Sequence, residues 1–361
     1  LFQHRQLTDA QREKFVTAVN AATAQYTEGF LERFSAFVKT QNRRKIIVTD
    51  QTVPIIFHRG AEEKKAPIFG NRSVKQNGAG LTSLSYFATD AHYELWSKYQ
   101  SLYGPVTDGV DINLFKSSIR SSDLPHNTTV LGGEVHFLQE PGLKLRAIAS
   151  PYLVHQEALR PLGNALYSAM RALPWDCTHD HSKPISCVQL HLAQHKKVHS
   201  VDLSNATDYF PLEVQVKALR ALIGDHPSID LFQEISRSEW LSTIGPIRWK
   251  QGQPLGLYPS FASFGITHGY LLLYLLGKGY EQEFFVLGDD VVILDDLLYD
   301  KYIKMLDYLG CPYSPDKSLS SSELCEFAGK VITSKGVYPQ YKWREVSNDN
   351  FLDLVRNYGR K

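Results

Sequence analysis

Apolar residues recur mostly every three or four positions from residue 7 to 40. Phe15, Val16, Val19, Ala22, Phe30, Phe34 and Phe37 carry this stripe, the spacing of a core-facing helix or pair of helices. Two short β-favouring pieces follow, KIIVTD (45–50) and VPIIFHR (53–59), and then FGNRSVKQNGAGLTS (69–83), too polar for a core and too basic for a neutral linker. From 133 onward strand and helix patterns alternate. EVHFLQE and KLRAIASPYLV read as strands, a helix runs to about 171, and another spans 187–197. Val198 and Val201 mark a short strand ending at Asp202, and Pro211 opens an amphipathic helix closed by Gly224. Gln251 to Ser260 is a loop dense in Gly and Pro, and Phe261 to Leu276 is a buried helix stopped by Gly277 and Gly279. In EFFVLGDDVVILDD (283–296) two strongly apolar runs flank Gly288, Asp289 and Asp290; Gly288-Asp289 suits a type II′ turn with both carboxylates at the tip.

Composition narrows the class. A chain of 361 residues with 43% hydrophobic and 12% aromatic residues can bury a large core, which excludes a disordered protein. It shows no repeat, no low-complexity tract and no linker-like composition break, so one continuous catalytic module is expected. The net charge of +1 conceals an asymmetry: residues 41–75 carry eight Lys or Arg against Asp50, Glu62 and Glu63, while 281–307 carry eight Asp or Glu against Lys301 and Lys304. Cys177, Cys187, Cys311 and Cys325 are too few for a disulfide framework and read as free thiols in a reducing compartment. The most apolar stretch, GYLLLYLLG, is shorter than the roughly 20 residues a membrane helix needs. There is no secretory signal, and the chain opens at Leu1, as a piece of something longer would.

The acids supply the chemistry. Asp202 ends one strand, and Asp289 and Asp290 sit between two others. If the strands are neighbours, three carboxylates converge and raise one another's pKa unless a cation neutralises them. Oxygen-only ligands select Mg²⁺ or Mn²⁺, and two such ions serve in-line phosphoryl or nucleotidyl transfer. The plainer reading is a solvated acidic hairpin. Lys144 and Arg146, two apart on a strand, point to one side, and a solvated strand face is the plain reading. Cys177, His179, His181, Cys187, His191, His195 and His199 are potential zinc ligands, with His191 and His195 on one helix face. Their spacings match no familiar finger, and solvated or hydrogen-bonded histidines are the simpler reading.

The ordered set resembles viral RNA-dependent RNA polymerases of the narnavirus, mitovirus and ourmiavirus-like group, related to the RNA-phage replicases. KLRAIASP is similar to motif F, VDLSNATDYFP to motif A, GQPLGLYPSFASFGITHG to motif B, LGDDVVI to motif C, CPYSPDKS to motif D and CEFAGKVI to motif E. The likeness covers roughly 133–335, in family order; FGNRSVKQNGAG is a loose counterpart of the template-guiding motif G.

The resemblance implies an α+β right-hand fold. The N-terminal region and fingers would occupy 1–197, with motif F at about 141–161. The palm would occupy 198–224 and 251–335, split by a fingers insertion at 225–250, and 336–361 would begin a thumb or C-terminal extension. It implies Asp202, Asp289 and Asp290 as catalytic ligands of two Mg²⁺ or Mn²⁺ ions, and Lys317 as a proton donor to the departing pyrophosphate. Lys144 and Arg146 would grip the NTP, Gly256 would lie against it, and Asp208 and Ser260 would read the ribose 2′-hydroxyl. One departure stands out: Phe264 replaces the Asn that many relatives outside this lineage carry four residues after the motif B Ser or Thr. Arg43, Arg44, Lys45, Arg72 and Lys75 would follow template phosphates. Partners would be template and product RNA and NTPs, with no membrane segment. The setting would be the host cytoplasm, or the mitochondrion for a mitovirus-like enzyme. The alternatives are a reverse transcriptase, against which Leu287-Gly288 in place of a Tyr-x-Asp-Asp argues, and a non-catalytic RNA-binding scaffold.

Overall fold

The apolar stripe near the N-terminus folds as two helices, α1 (Asp9–Val19) and α2 (Glu28–Gln41). The computed structural model describes residues 9–41, 45–49, 130–140, 144–151 and 153–339. The Thr27 hydroxyl accepts from Phe30 N–H at 3.2 Å, starting α2, which buries Phe30, Leu31, Phe34 and Val38. KIIVTD, expected as a strand, forms no ladder over 45–49. Ile46 N–H donates to Leu222 O at 3.1 Å, so the segment rests on a helix end and leaves Ile47 exposed. VPIIFHR and the Gly/Asn-rich segment lie outside the described residues.

The alternating part contains β1 (Leu131–Glu140), β2 (Lys144–Pro151), α3 (Leu153–Met170), α4 (Ile185–Ala193), β3 (Val198–Asp202), α5 (Ala206–Tyr209) and α6 (Leu212–Ile223). Then follow α7 (Pro227–Arg237), β4 (Glu239–Ser242), α8 (Ser260–Leu276), β5 (Phe284–Leu287), β6 (Asp290–Ile293) and α9 (Asp296–Leu309). The last elements among the described residues are β7 (Leu319–Ser321), β8 (Leu324–Phe327), β9 (Lys330–Thr333) and β10 (Gly336–Pro339).

Among the described residues three sheets result, with strand orders β2-β1-β4, β5-β6-β3-β7 and β10-β9-β8. In the first, β2 is antiparallel and β4 parallel to β1, so residues 239–242 return to the sheet that carries Lys144 and Arg146. The central sheet is antiparallel throughout and covered on both faces. Its period-two alternation sorts the side chains. Val201, Phe284, Val286, Val291 and Ile293 enter the main core with α8 and α9, while Val198, Phe285 and Val292 enter a second cluster with Val188, Leu192, Cys325, Phe327 and Ile332. Each such buried side chain contributes roughly 1.5–3 kcal/mol. A slip of one residue would exchange the faces, so the register is firmly set. Helix α8 is buried along most of its length and ends at Gly277, with φ +70°. Among the described residues no helix is long and apolar enough to cross a membrane.

Candidate active site

The register of β3 against β6 sets Asp202 directly opposite Asp290. Directly paired residues of this kind have Cβ atoms about 4.5–5.5 Å apart. Strands β5 and β6 close through Gly288 and Asp289, with Leu287 paired to Asp290. Gly288 takes φ +61°, the left-handed value that a type II′ turn requires at its first central position. All three expected acids therefore stand at one end of one sheet, in strands buried behind them.

Their surroundings are unequal. Asp290 Oδ2 accepts from Ala328 N–H at 3.0 Å; burial first, then the charges of Asp289, Asp202 and Glu326, push its carboxyl up to about 6 against that bond. Asp202 faces solvent, and its Oδ2 accepts from Lys317 Nζ at 3.1 Å. The segment carrying that lysine is fastened to the same residue, since Ser318 Oγ accepts from Asp202 N–H at 3.1 Å and Ser314 N–H donates to Asp202 O at 2.9 Å. Among the described residues no three His, Cys, Asp or Glu side chains already stand in metal-ligating arrangement. Asp202 is turned to a lysine and Asp290 to an amide. The donor chemistry nevertheless fits a hard cation: oxygen ligands only, opposed in register, with the Asp290 carboxyl raised first by burial and then by the negative charges of Asp289, Asp202 and Glu326.

Below the turn lies a residue that sequence reasoning missed. His268, fully buried on α8, places Nδ1 2.8 Å from Gly288 O and Nε2 2.7 Å from the Tyr302 hydroxyl. A carbonyl only accepts, so Nδ1 carries the proton. Burial pushes the imidazole down to about 4, so at neutral pH Nε2 accepts from Tyr302.

The Gly/Pro-dense loop is held from several sides. Gln251 Oε1 accepts from Thr23 N–H at 2.8 Å and Ala24 N–H at 2.9 Å, while its Nε2 donates to Tyr209 O and to Leu309 O at 3.0 Å. Arg237 donates to the carbonyls of Trp249 (2.8 Å), Gly252 (3.0 Å) and Gln251 (3.1 Å). Gln253 Nε2 donates to Gln215 Oε1 at 2.8 Å and Ser260 O at 3.1 Å. Ser260 is buried with its hydroxyl donating to Pro254 O at 3.1 Å, so here it closes the loop. Asp208 Oδ1 accepts from Trp249 Nε1 at 2.7 Å, and burial pushes this carboxyl up to about 6. The departure at Phe264 has a packing counterpart: the ring is buried edge-on against Phe210 with centroids 5.0 Å apart.

Lys144 and Arg146 share β2, opposite Glu140 and Leu138. Ala149 of that strand donates its N–H to Leu255 O at 3.0 Å, which brings the strand against the loop. Lys45 is exposed; Arg43, Arg44, Arg72 and Lys75 lie outside the described residues. The cysteines are unpaired. In the Cys/His-rich segment α4 ends at Ala193 and His195 has φ +55°, so His191 and His195 do not share a helix face. His179 bonds Tyr167 O at 3.0 Å, and His199 bonds Ser320 Oγ and Asp296 Oδ1, each at 2.7 Å.

Comparison with solved structures defines the class. The RNA-dependent RNA polymerase of a human picorbirnavirus and its insertion-loop deletion mutant match with TM-scores of 0.50 and 0.51. They cover 90% of this chain and 60% and 62% of theirs, at 10% and 11% identity. The fold is that of the viral RNA polymerases, the right-hand arrangement expected. Within that class the chain belongs to the mitovirus RNA-dependent RNA polymerase family, whose model matches residues 82–348. The RNA-directed RNA polymerase of Cryphonectria parasitica mitovirus 1 is 29% identical over 204 residues, 55% of this chain and 25% of that protein. Two uncharacterised mitochondrial proteins of Arabidopsis thaliana are 29% and 28% identical over 188 and 190 residues, covering 48% and 47% of this chain and 74% and 90% of theirs. The chain thus spans about a quarter of the length of the mitovirus polymerase it matches.

Proposed function

We propose that the chain catalyses template-directed addition of ribonucleotides to RNA. The observation that carries this reading is the register of Asp202 against Asp290 with Asp289 at the adjoining turn, within a chain of the mitovirus polymerase family. Asp202, Asp289 and Asp290 would hold two Mg²⁺ or Mn²⁺ ions. Bound there, the ions supply charge neutralisation at the attacking 3′-hydroxyl and at the leaving phosphate. Lys317, whose proton lies beside Asp202, is the candidate acid for the departing pyrophosphate. Lys144 and Arg146 grip the triphosphate from β2, and Gly256 lets the loop backbone come close. Asp208 reads the ribose. Ser260 joins it only by leaving the Pro254 carbonyl. Arg43, Arg44, Lys45, Arg72 and Lys75 follow the template backbone, and the family and the two plant relatives favour the mitochondrion as the setting.

The test is primer extension on an RNA template, with and without Mg²⁺, using NTPs or dNTPs. Mg²⁺-dependent incorporation of NTPs is expected. Preference for dNTPs would support the reverse transcriptase reading, and RNA binding without incorporation the scaffold reading.

A further inference from the structure

Five positions on one face of α3 converge on a single loop residue, Tyr258. Gln156 Oε1 accepts from Tyr258 N–H at 2.7 Å, and Gln156 Nε2 donates to Gly256 O at 2.7 Å. The guanidinium of Arg160 lies 5.6 Å from the centre of the Tyr258 ring. At Gly163 the ring passes so close that a Cβ would stand 2.2 Å from Tyr258 Cδ1. Asn164 Oδ1 accepts from the Tyr258 hydroxyl at 2.7 Å, and the Tyr167 ring lies 5.8 Å away, centre to centre. Positions 156, 160, 163, 164 and 167 follow the i, i+4, i+7, i+8, i+11 spacing of one helix face. Main-chain amide, ring and hydroxyl of one residue are all engaged, which goes beyond what filling a core requires.

The two bonds of Gln156 fix its amide without ambiguity, because a backbone N–H only donates and a carbonyl only accepts. They bracket Leu257, and the bonded Gly256 is pressed against β2, where a Cβ would stand 1.8 Å from Ala149 O. The far end of the same face reaches the acidic turn. Tyr167 stacks on Phe261 with centroids 6.4 Å apart and planes at 11°, and a Cβ on Gly288 would stand 2.6 Å from the Phe261 ring. The face of α3 that carries Gln156 therefore links the loop of Gly256 and Ser260, itself pressed against the strand of Arg146, with the neighbourhood of the acidic turn, and Gln156 is its bond to the loop backbone.

We infer that Gln156 is a positioning residue for nucleotidyl transfer, acting through the backbone of residues 256–258 to set where the nucleotide lies against the carboxylates. The inference depends on the polymerase reading above. Its physical basis is that misplacing a bound group by about 1 Å can cost on the order of a hundredfold in rate.

Gln156→Met removes both bonds at similar volume. Gln156→Glu keeps the acceptor for Tyr258 N–H but sets a carboxylate oxygen against Gly256 O. Asn164→Ala, which cuts only the hydroxyl bond at an exposed position, provides a variant that folds if the others do not. For each, kcat and KM for GTP, the GTP/dGTP ratio, the melting temperature and amide exchange over 255–262 are measured. Both Gln156 variants should lose about tenfold or more in kcat/KM for GTP, narrow the sugar ratio, and exchange the Tyr258 amide at least about tenfold faster, with Asn164→Ala smaller in the same direction. Faster exchange with wild-type kinetics would make the clamp purely structural and overturn the inference. Unchanged exchange would overturn it too. Indifferent variants of an active enzyme sink this inference alone, whereas wild-type protein that incorporates nothing sinks the polymerase reading, and exchange then still reports the clamp.

Discussion

The acidic turn at Gly288-Asp289 and the loop from Gln251 to Ser260 border the same site, and they are held by opposite means. The turn closes two short strands whose ladder bonds and two-faced burial leave no freedom of register, so its position is a consequence of local sequence. The loop has no ladder. Side chains from α3, α6 and α7 reach it, each bonded to loop backbone or to a glutamine of the loop. The carboxylates proposed to hold the metal ions are thus mounted at the end of a sheet, and the loop proposed to meet the nucleotide is mounted on hydrogen bonds. The difference makes separate, ranked claims.

The largest effect is expected at the turn and on chemistry alone. Asp289→Asn should reduce nucleotide addition by about a thousandfold or more, several kcal/mol of lost transition-state stabilisation. Its melting temperature should stay near wild type, because the ladder of the flanking strands holds the turn. Near wild-type extension at equal Mg²⁺ by a folded Asp289→Asn protein would remove these acids from the mechanism.

Next comes a pair of glycines that compares the two regions directly. At Gly256, with φ +150°, an added Cβ would lie 1.8 Å from the Ala149 carbonyl oxygen, backbone against backbone. At Gly288, with φ +61°, the nearest obstacle is the Phe261 ring at 2.6 Å, and a half-buried ring can turn. Gly256→Ala should cost about 3 kcal/mol or more and Gly288→Ala about 1–2 kcal/mol, read by urea denaturation. The reverse order would show that ring packing, not the ladder, secures the turn.

His268 tests whether the turn needs support from below. His268→Leu strands a buried carbonyl at Gly288 and should cost about 1–3 kcal/mol. Its pH dependence has a defined sign. The folded imidazole sits near 4 against an ordinary value of 6.5, so the unfolded chain binds more protons between those values. That contribution is fully present above pH 6.5 and is lost as pH falls toward 4. The difference between wild type and variant should therefore shrink on acidification; a constant gap from pH 7.5 to 5 would mean that the ring is not held neutral.

What the sequence disclosed follows the same division. Asp202, Asp289 and Asp290 were legible because each is announced by its immediate neighbours: apolar alternation, a glycine, a strand end. Gln156 was not, since its partners lie 100 and 102 residues away and nothing around it marks a clamp. Gln253 and His268 stand inside the motif B string and Gln251 directly before it, but their partners belong to α2's approach, α6, α9 and the acidic turn, which one-dimensional spacing does not bring together. The strand expected at 45–50 is absent over 45–49 for the converse reason: its β-favouring run lies on a helix end, where no strand among the described residues offers a ladder. Ser260 shows a third case, in which residue type and position suggested a substrate contact and the hydroxyl closes its own loop.

Asp208 gives the smallest effect and the finest test of the loop side. Its carboxyl is raised from 3.8 to about 6, chiefly by burial, with the Trp249 bond acting in the opposite direction. Between those values the folded chain binds more protons than the unfolded one, so the group's contribution to stability declines as pH rises from 4 to 6 and stays diminished above that. Asn at this position keeps an oxygen for Trp249 Nε1 and carries no charge to desolvate. Asp208→Asn should therefore melt above wild type at pH 7.5, by on the order of 1–3 kcal/mol, and lose most of that advantage at pH 4.5. If Asp208 contacts the 2′-hydroxyl as proposed, the same substitution should narrow the GTP/dGTP ratio about tenfold. The two readouts separate the possibilities. A stability gain without a change in sugar ratio would leave Asp208 as a loop anchor through Trp249, on the same footing as Arg237. A changed ratio without the pH-dependent gain would mean that the carboxylate is solvated in the enzyme and meets the ribose as an ordinary surface acid.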